Sequence, residues 1–203
     1  MITEIEYITK TKAKVYLDED FAFVLSKAEI DSMGLSRGHV LTREEHAYIF
    51  DEILTRKAKI KVMNMLKAKD QTEYELRQKL QRDYFPEEVI DRAIEYVRGY
   101  HYIDDKRYTD SYLALRSSHK SRMAVRYELI SKGIPEEVIA DGMEEAGIDD
   151  KENIMLLLKK KFCPEDLLDE KKKQKIFGYF MRKGFCISDV RDAIRQFGIN
   201  DDT

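Results

Sequence analysis

Pro86-Glu87-Glu88-Val89-Ile90 and Pro135-Glu136-Glu137-Val138-Ile139 share four identical leading residues and the closing isoleucine, 49 residues apart, in a chain of 203 residues with only three prolines. The match runs outward in both directions. Leu80-Gln81-Arg82-Asp83-Tyr84-Phe85 ahead of the first copy aligns with Leu129-Ile130-Ser131-Lys132-Gly133-Ile134 ahead of the second. Ile103-Asp104-Asp105-Lys106 after the first corresponds to Ile148-Asp149-Asp150-Lys151 after the second. A degenerate third copy begins at Phe180-Met181-Arg182-Lys183-Gly184-Phe185 and ends at Ile199-Asn200-Asp201, with Cys186-Ile187-Ser188 where the others have Pro-Glu-Glu. Self-similarity at a period of roughly 50 residues marks stacked supersecondary units, none of which buries its apolar face alone.

Each unit reads as three helices. Thr42-Arg43-Glu44-Glu45 is a capping box opening a long helix to about Lys69, with Ile49, Ile53, Ile60, Met63 and Leu66 at helical spacing. Thr72-Glu73-Tyr74-Glu75 caps the next, and Pro86 suits the first position of a third, where its missing N–H costs nothing. The second unit repeats the order over 105–117, 121–132 and 135–145. The third gives 150–162, 164–183 and 188–197. Gly133, Gly147, Gly184 and Gly198 are the expected stops. Ile90, Ile139 and Val190 fall at equivalent positions, as do Ile94, Met143 and Ile194.

Ahead of the helices, residues 3–25 alternate β-branched and aromatic residues in three short runs, with Asp18-Glu19-Asp20 as a turn. A short helix near Lys27–Met33, ended by Gly34, and an edge strand at His39-Val40-Leu41 follow. So few strands are marginal alone, so this head must pack on the helices behind it. The expected architecture is mainly α: three tandem three-helix, helix-turn-helix-like repeats in an elongated array (42–103, 104–148 and 149–203), behind a small β-rich subdomain (1–41).

Composition limits the function. The net charge is −3 with 37% charged residues, which argues against a general DNA-coating protein. The charge is unevenly spread: residues 106–132 hold seven basic and two acidic side chains, residues 1–55 six basic and eleven acidic. Local charge is what a partner senses within a Debye length of about 10 Å. The start lacks a signal-peptide pattern and no apolar run is long enough for a membrane span, so a cytoplasmic location is expected. Cys163 and Cys186 lack metal-site spacing and read as buried structural residues. The Asp104-Asp105 and Asp149-Asp150 pairs precede helices and read as caps rather than catalytic carboxylates. The four histidines are scattered, and no phosphate loop, metal set or cofactor motif is present. No enzymatic reading has residues to stand on.

The candidate partner-binding residues are Arg116, Lys120, Arg122, Arg126, Lys132 and Arg107. Arg116/Lys120 and Arg122/Arg126 are like charges spaced i, i+4, unfavourable by ~0.2–0.5 kcal/mol per pair without a counter-anion. Arg122 also falls in a first turn, where the helix dipole disfavours a cation. Tolerating both points to an anionic partner; the alternative is a solvated face with Arg stems over apolar surface. Lys159, Lys160, Lys161, Arg182 and Lys183 are secondary candidates, since cations near a helix C-terminus also suit the dipole. Tyr108, Tyr112 and Tyr127 have the spacing of core residues, with base stacking as the competing role.

The chain resembles the RecX family of recombinase regulators. Gly99-Tyr100-His101-Tyr102-Ile103-Asp104-Asp105-Lys106-Arg107-Tyr108-Thr109-Asp110-Ser111-Tyr112 is similar to the family's central signature. Arg126-Tyr127-Glu128-Leu129-Ile130-Ser131-Lys132-Gly133-Ile134 is similar to its second hallmark, with counterparts at Glu75-Leu76-Arg77-Gln78-Lys79-Leu80 and Arg182-Lys183-Gly184-Phe185. Val15-Tyr16-Leu17-Asp18 and Phe21-Ala22-Phe23 resemble the N-terminal extension of Gram-positive members. The resemblance implies a non-enzymatic protein that binds the RecA filament on single-stranded DNA and modulates, mostly inhibits, its ATPase and strand exchange; a monomer is expected. Its setting would be DNA recombination, repair and the SOS response, with single-stranded DNA the second candidate partner. The chain departs from the family in its acidity and its eroded third repeat, which favours recombinase contact over direct DNA contact. The alternative is a helix-turn-helix array that binds DNA as a transcriptional or nucleoid regulator.

Overall fold

The computed structural model describes residues 1–199, so the Asn200-Asp201 end of the third copy lies outside the described residues. The chain divides into two compact units, Met1–Ile103 and Asp104–Thr203.

In the first unit, β1 (Ile2–Tyr7), β2 (Lys12–Leu17) and β3 (Asp20–Ser26) form an antiparallel meander, with Ile5 opposite Val15 and Val15 opposite Phe23. Strand alternation sends Ile2, Ala13, Val15, Phe23 and Leu25 to one fully buried face. Helix α1 (Lys27–Ser32) opens on a capping box between Ser26 and Glu29. The His39–Leu41 segment is not a strand. Gly38 donates to the Ile2 carbonyl (2.8 Å) and Ile2 donates to the His39 carbonyl (2.8 Å), after which the chain turns away. The left-handed φ of +89° at Gly38 and the Thr42 cap four residues on leave no room for a ladder.

The helix expected over 42–69 is helical throughout but not uniformly α. α2 (Arg43–Ala47) passes into a π-helical segment, Tyr48–Leu54, and then α3 (Thr55–Ala68). Thr55 seals the wide turn by donating to the Phe50 carbonyl five residues back (2.7 Å), while the Phe50 ring stacks on His46 and meets Phe23 edge-on. α4 (Glu73–Arg82) and α5 (Glu87–Gly99) complete the repeat. One continuous core joins the sheet to these helices through Ile49, Leu54, Val62, Leu80, Ile90 and Ile94.

The second unit holds α6 (Asp105–Arg116), α7 (Arg122–Ser131) and α8 (Glu136–Glu145), then α9 (Asp150–Lys161), α10 (Glu170–Arg182) and α11 (Ile187–Ile199). The helix expected over 164–183 is broken: Pro164–Leu167 is a single 3-10 turn, and Asp169 starts α10 by accepting from Lys171 and Lys172 (2.8 and 3.3 Å). An Asp preceding Glu and a run of lysines is a stronger start signal than the proline upstream. Gly198 does not end α11, which runs to Ile199.

The three repeats turn between their second and third helices by the same device. Phe85 donates to the Leu80 carbonyl, Ile134 to Leu129 and Phe185 to Phe180, at 3.1, 3.2 and 3.3 Å. Tyr84, Gly133 and Gly184 occupy the left-handed position, with φ of +64°, +77° and +80°. Ile90, Ile139 and Val190 are all fully buried, and Ile94, Met143 and Ile194 are at most 6% exposed. Equivalent residues therefore fill equivalent cores.

Candidate partner-binding surface

Four hydrogen bonds from the third repeat hold the 117–122 connection that leads into α7. Asn153 Nδ2 donates to the Ser117 carbonyl (2.8 Å), and Lys183 Nζ to the His119 carbonyl (2.8 Å). The Ser121 N–H donates to the Lys183 carbonyl (3.2 Å), and the Arg122 N–H to Asp150 Oδ1 (2.8 Å). Ser121 is fully buried and caps α7 by accepting from Ala124 (3.1 Å). Gly184 lies so close that an added Cβ would stand 2.9 Å from Ser121 Oγ and 3.0 Å from Ala124 Cβ. The start of α7 is thus fixed from two sides.

The first aspartate of each pair caps the helix that follows it. Asp104 accepts from Arg107 (2.9 Å) and Asp149 from Lys151 (2.7 Å), each on its own helix. Asp150 instead serves α7. Burial, only partly offset by the Arg122 N–H and charge, pushes its carboxyl up. Among the described residues no group of three potential ligands could hold a metal ion.

The predicted cations differ in their surroundings. Lys120 pairs with Glu128, and Arg126 with Glu136, so the fold itself supplies the counter-anions that the i, i+4 spacing left unassigned. Burial acts to raise the Glu128 carboxyl, but hydrogen bonds from Lys120 and the Tyr112 hydroxyl (2.6 Å) outweigh it and hold it below the usual range. Burial and that same bond push the Tyr112 hydroxyl up to about 12. Arg116, at the last turn of α6, and Arg122, at the first of α7, are exposed, and neither side chain joins an ion pair among the described residues. Lys132 caps the end of α7 with its ammonium over the Tyr108 and Tyr112 rings (5.7 and 5.9 Å). Arg107 is exposed in the first turn of α6.

Of the secondary set, Lys161 and Lys183 both cover the Tyr179 ring (5.0 and 5.1 Å), and only Lys183 reaches the α6–α7 connection. Lys159 and Lys160 are exposed at the end of α9, and Arg182 at the end of α10.

Two expectations are corrected. Tyr108 and Tyr112 stack on each other half-buried, but Tyr127 is 64% exposed and contributes nothing to the core. Cys163 and Cys186 are exposed, because both sit where loops enter helical turns: Cys163 starts the 3-10 turn and the Cys186 carbonyl accepts from Val190 in α11. Cys186 Sγ lies 3.1 Å from Ser188 Oγ, which lowers its pKa.

The feature that sequence reasoning missed is an apolar stripe. Met123, Tyr127 and Ile130 recur at i, i+4 and i+7 on α7 and are 62%, 64% and 40% exposed, while Val125 and Leu129 bury the opposite face. The signal was available: α7 carries more apolar residues than one core-facing stripe needs. α7 therefore offers an exposed aliphatic and aromatic row beside Arg122, with charge but little net demand for desolvation at the paired Arg126.

Models of the RecX first, second and third three-helix domains match residues 58–96, 104–143 and 149–194. The chain belongs to the RecX family. It is 30% identical to the regulatory protein RecX of Clostridioides difficile, over 97% of this chain and 95% of that protein. It is 28% identical to the regulatory protein RecX of Clostridium acetobutylicum, over 96% and 95%. A crystal structure of a regulatory protein RecX superposes with a TM-score of 0.58 at 26% identity, covering 96% of this chain and 98% of that one. RecX from Lactobacillus salivarius shares the fold, with a TM-score of 0.57 over 71% of this chain. The two clostridial relatives and the first of these structures are named regulatory proteins. No helix among the described residues is long and apolar enough to cross a membrane.

Proposed function

We propose that this protein is a non-catalytic regulator that binds the RecA recombinase filament on single-stranded DNA and lowers its ATPase and strand-exchange activity, in DNA recombination and repair in the cytoplasm. Family membership supplies the partner. The observation that carries the contact is the α7 face, where Met123, Tyr127 and Ile130 stand exposed together next to Arg122, whose side chain joins no ion pair among the described residues. Exposed apolar rows with an arginine at the edge are the anchors of protein interfaces, and they suit a protein groove better than a phosphate backbone. Arg116 and Arg122 supply the charge that steers encounter with an acidic surface. The repeats 42–103, 104–148 and 149–203 serve as successive contact modules along the target.

The test is RecA-catalysed ATP hydrolysis on single-stranded DNA with added protein. Wild type slows it, and the Arg116→Glu/Arg122→Glu double variant slows it much less. Reversing Lys120 and Arg126 as well would confound the result by stranding Glu128 and Glu136. Undiminished inhibition by the folded double variant removes this face from the contact; absence of inhibition by wild type removes the proposal itself.

A further inference from the structure

The third repeat differs from the first two between its last two helices. In the first repeat Arg77 of α4 bonds Glu87 (3.1 Å) and Asp91 (2.7 Å) of α5. In the second, Arg126 of α7 pairs with Glu136 of α8. The repeat alignment carries Arg77 and Arg126 onto Phe177 of α10, and Glu87 and Glu136 onto Ile187 of α11. Both ends of the ion pair have become apolar. Two further positions reverse sign: Asp91 corresponds to Arg191, and Glu95 and Glu144 correspond to Arg195.

All four replacements line one open cleft of about 730 Å3 between α10 and α11, with Met181 and Ile194 beside them. Ile187 is 49% exposed and Met181 37%, so the apolar floor reaches solvent. The one carboxylate among the described lining residues, Glu170, faces Lys173 of its own helix at 3.8 Å and is outnumbered by Lys173, Arg191 and Arg195. Arg191 and Arg195 are exposed and make no ion pair among the described residues. Loss of Pro-Glu-Glu thus coincides with an amphipathic, cationic groove at the place where its sister repeats are closed by an ion pair.

We propose that this cleft docks an acidic amphipathic helix of a partner protein. Phe177 and Met181 at i, i+4 on α10, with Ile187 and Ile194 at i, i+7 on α11, form a groove that accepts the apolar face of a third helix. Guanidinium groups one turn apart on α11 would take carboxylates along the edge of that helix, in the geometry arginine favours. Nucleic acid fits less well, since Ile187 and Met181 make up the exposed floor and the half-buried Phe177 is the one ring among the described lining residues. A second copy of this chain also fits poorly: its acidic helix α8 already buries its apolar residues Ile139 and Met143. The cleft is built from helices other than α7, so the Arg116→Glu/Arg122→Glu variant that tests the α7 contact leaves it intact.

The experiment uses the full chain and a fluorescein-labelled synthetic helix carrying Leu and Phe at i, i+4 and i+7 and Glu elsewhere, read by anisotropy. Comparators are the same peptide with Lys for Glu and a labelled single-stranded oligonucleotide. The Ile187→Glu/Arg195→Glu variant restores the acids of the first two repeats, and Arg191→Ala/Arg195→Ala tests charge alone at exposed positions. The expected result is binding of the Glu peptide only, weakened about tenfold or more in either variant, with circular dichroism unchanged and with Arg116→Glu/Arg122→Glu binding as wild type. Unchanged affinity in both variants overturns the proposal. So does equal binding of the Lys peptide, failure of the Glu peptide to bind, or binding of the oligonucleotide that the same variants abolish.

Discussion

Asp150 accepts a hydrogen bond at 2.8 Å from the backbone N–H of Arg122, 28 residues earlier in the chain. A carboxylate in the first turn of α9 thereby satisfies an orphan N–H in the first turn of α7, and it places negative charge where α7 carries an arginine instead of an acid. This contact explains how Arg122 is tolerated at a position the helix dipole disfavours.

Asp150→Ala leaves that N–H without its acceptor and is expected to destabilise the protein by about 1 kcal/mol. Asp150→Asn keeps an acceptor and removes a partly buried charge, so it should match or exceed wild type at neutral pH. The folded carboxyl titrates above its ordinary value. Its contribution to stability is therefore full below the unfolded pKa and lost as pH rises through the folded one. Denaturant unfolding as a function of pH should show this loss in wild type and not in Asp150→Asn.

Gly184→Ala should cost more than Gly147→Ala. Both glycines have positive φ, +80° and +56°, so each substitution carries a backbone penalty of about 1 kcal/mol. At Gly147 the added methyl meets nothing within 4 Å, whereas at Gly184 it strikes Ser121 Oγ and Ala124 Cβ at 2.9 and 3.0 Å. An additional ~1–3 kcal/mol is expected from that overpacking, measured as the difference between the two variants' unfolding midpoints. Because the clash falls on the cap of α7, Gly184→Ala should also raise amide exchange at 121–124.

Thr109 is fully buried on α6, and its hydroxyl has no hydrogen-bond partner among the described residues. Thr109→Val keeps the shape and removes the unpaired polar group, for an expected gain of about 1 kcal/mol in thermal or chemical unfolding. Gly142→Ala on the facing helix α8 should destabilise, since its Cβ would lie 2.9 Å from Thr109 Cγ2 and 3.3 Å from Leu113 Cδ1.

Tyr127→Ala and Met123→Ala remove surface that supports no core, so stability should move by less than about 0.5 kcal/mol. In the proposed role, the same variants should weaken binding to RecA filaments by roughly 2 kcal/mol, about thirtyfold in Kd. Sedimentation of the protein with filaments measures this directly, and a stability loss as large as the binding loss would return Tyr127 to the core.

The sequence by itself determined what is local or periodic: the three repeats, the capping boxes at Thr42 and Thr72, the aspartate caps at 104 and 149, and the left-handed glycine turns. These depend on residues within one turn of each other, or on apolar positions that recur with the helix. The tertiary structure alone decided that Asp150 caps a different helix, that Glu128 and Glu136 quench Lys120 and Arg126, and that Tyr127 faces solvent. It likewise decided that Phe177 and Ile187, positions that look like decay in the pattern, line a single cleft. Such outcomes turn on which faces of separate helices meet, and a one-dimensional pattern carries the period of a face without naming its neighbour.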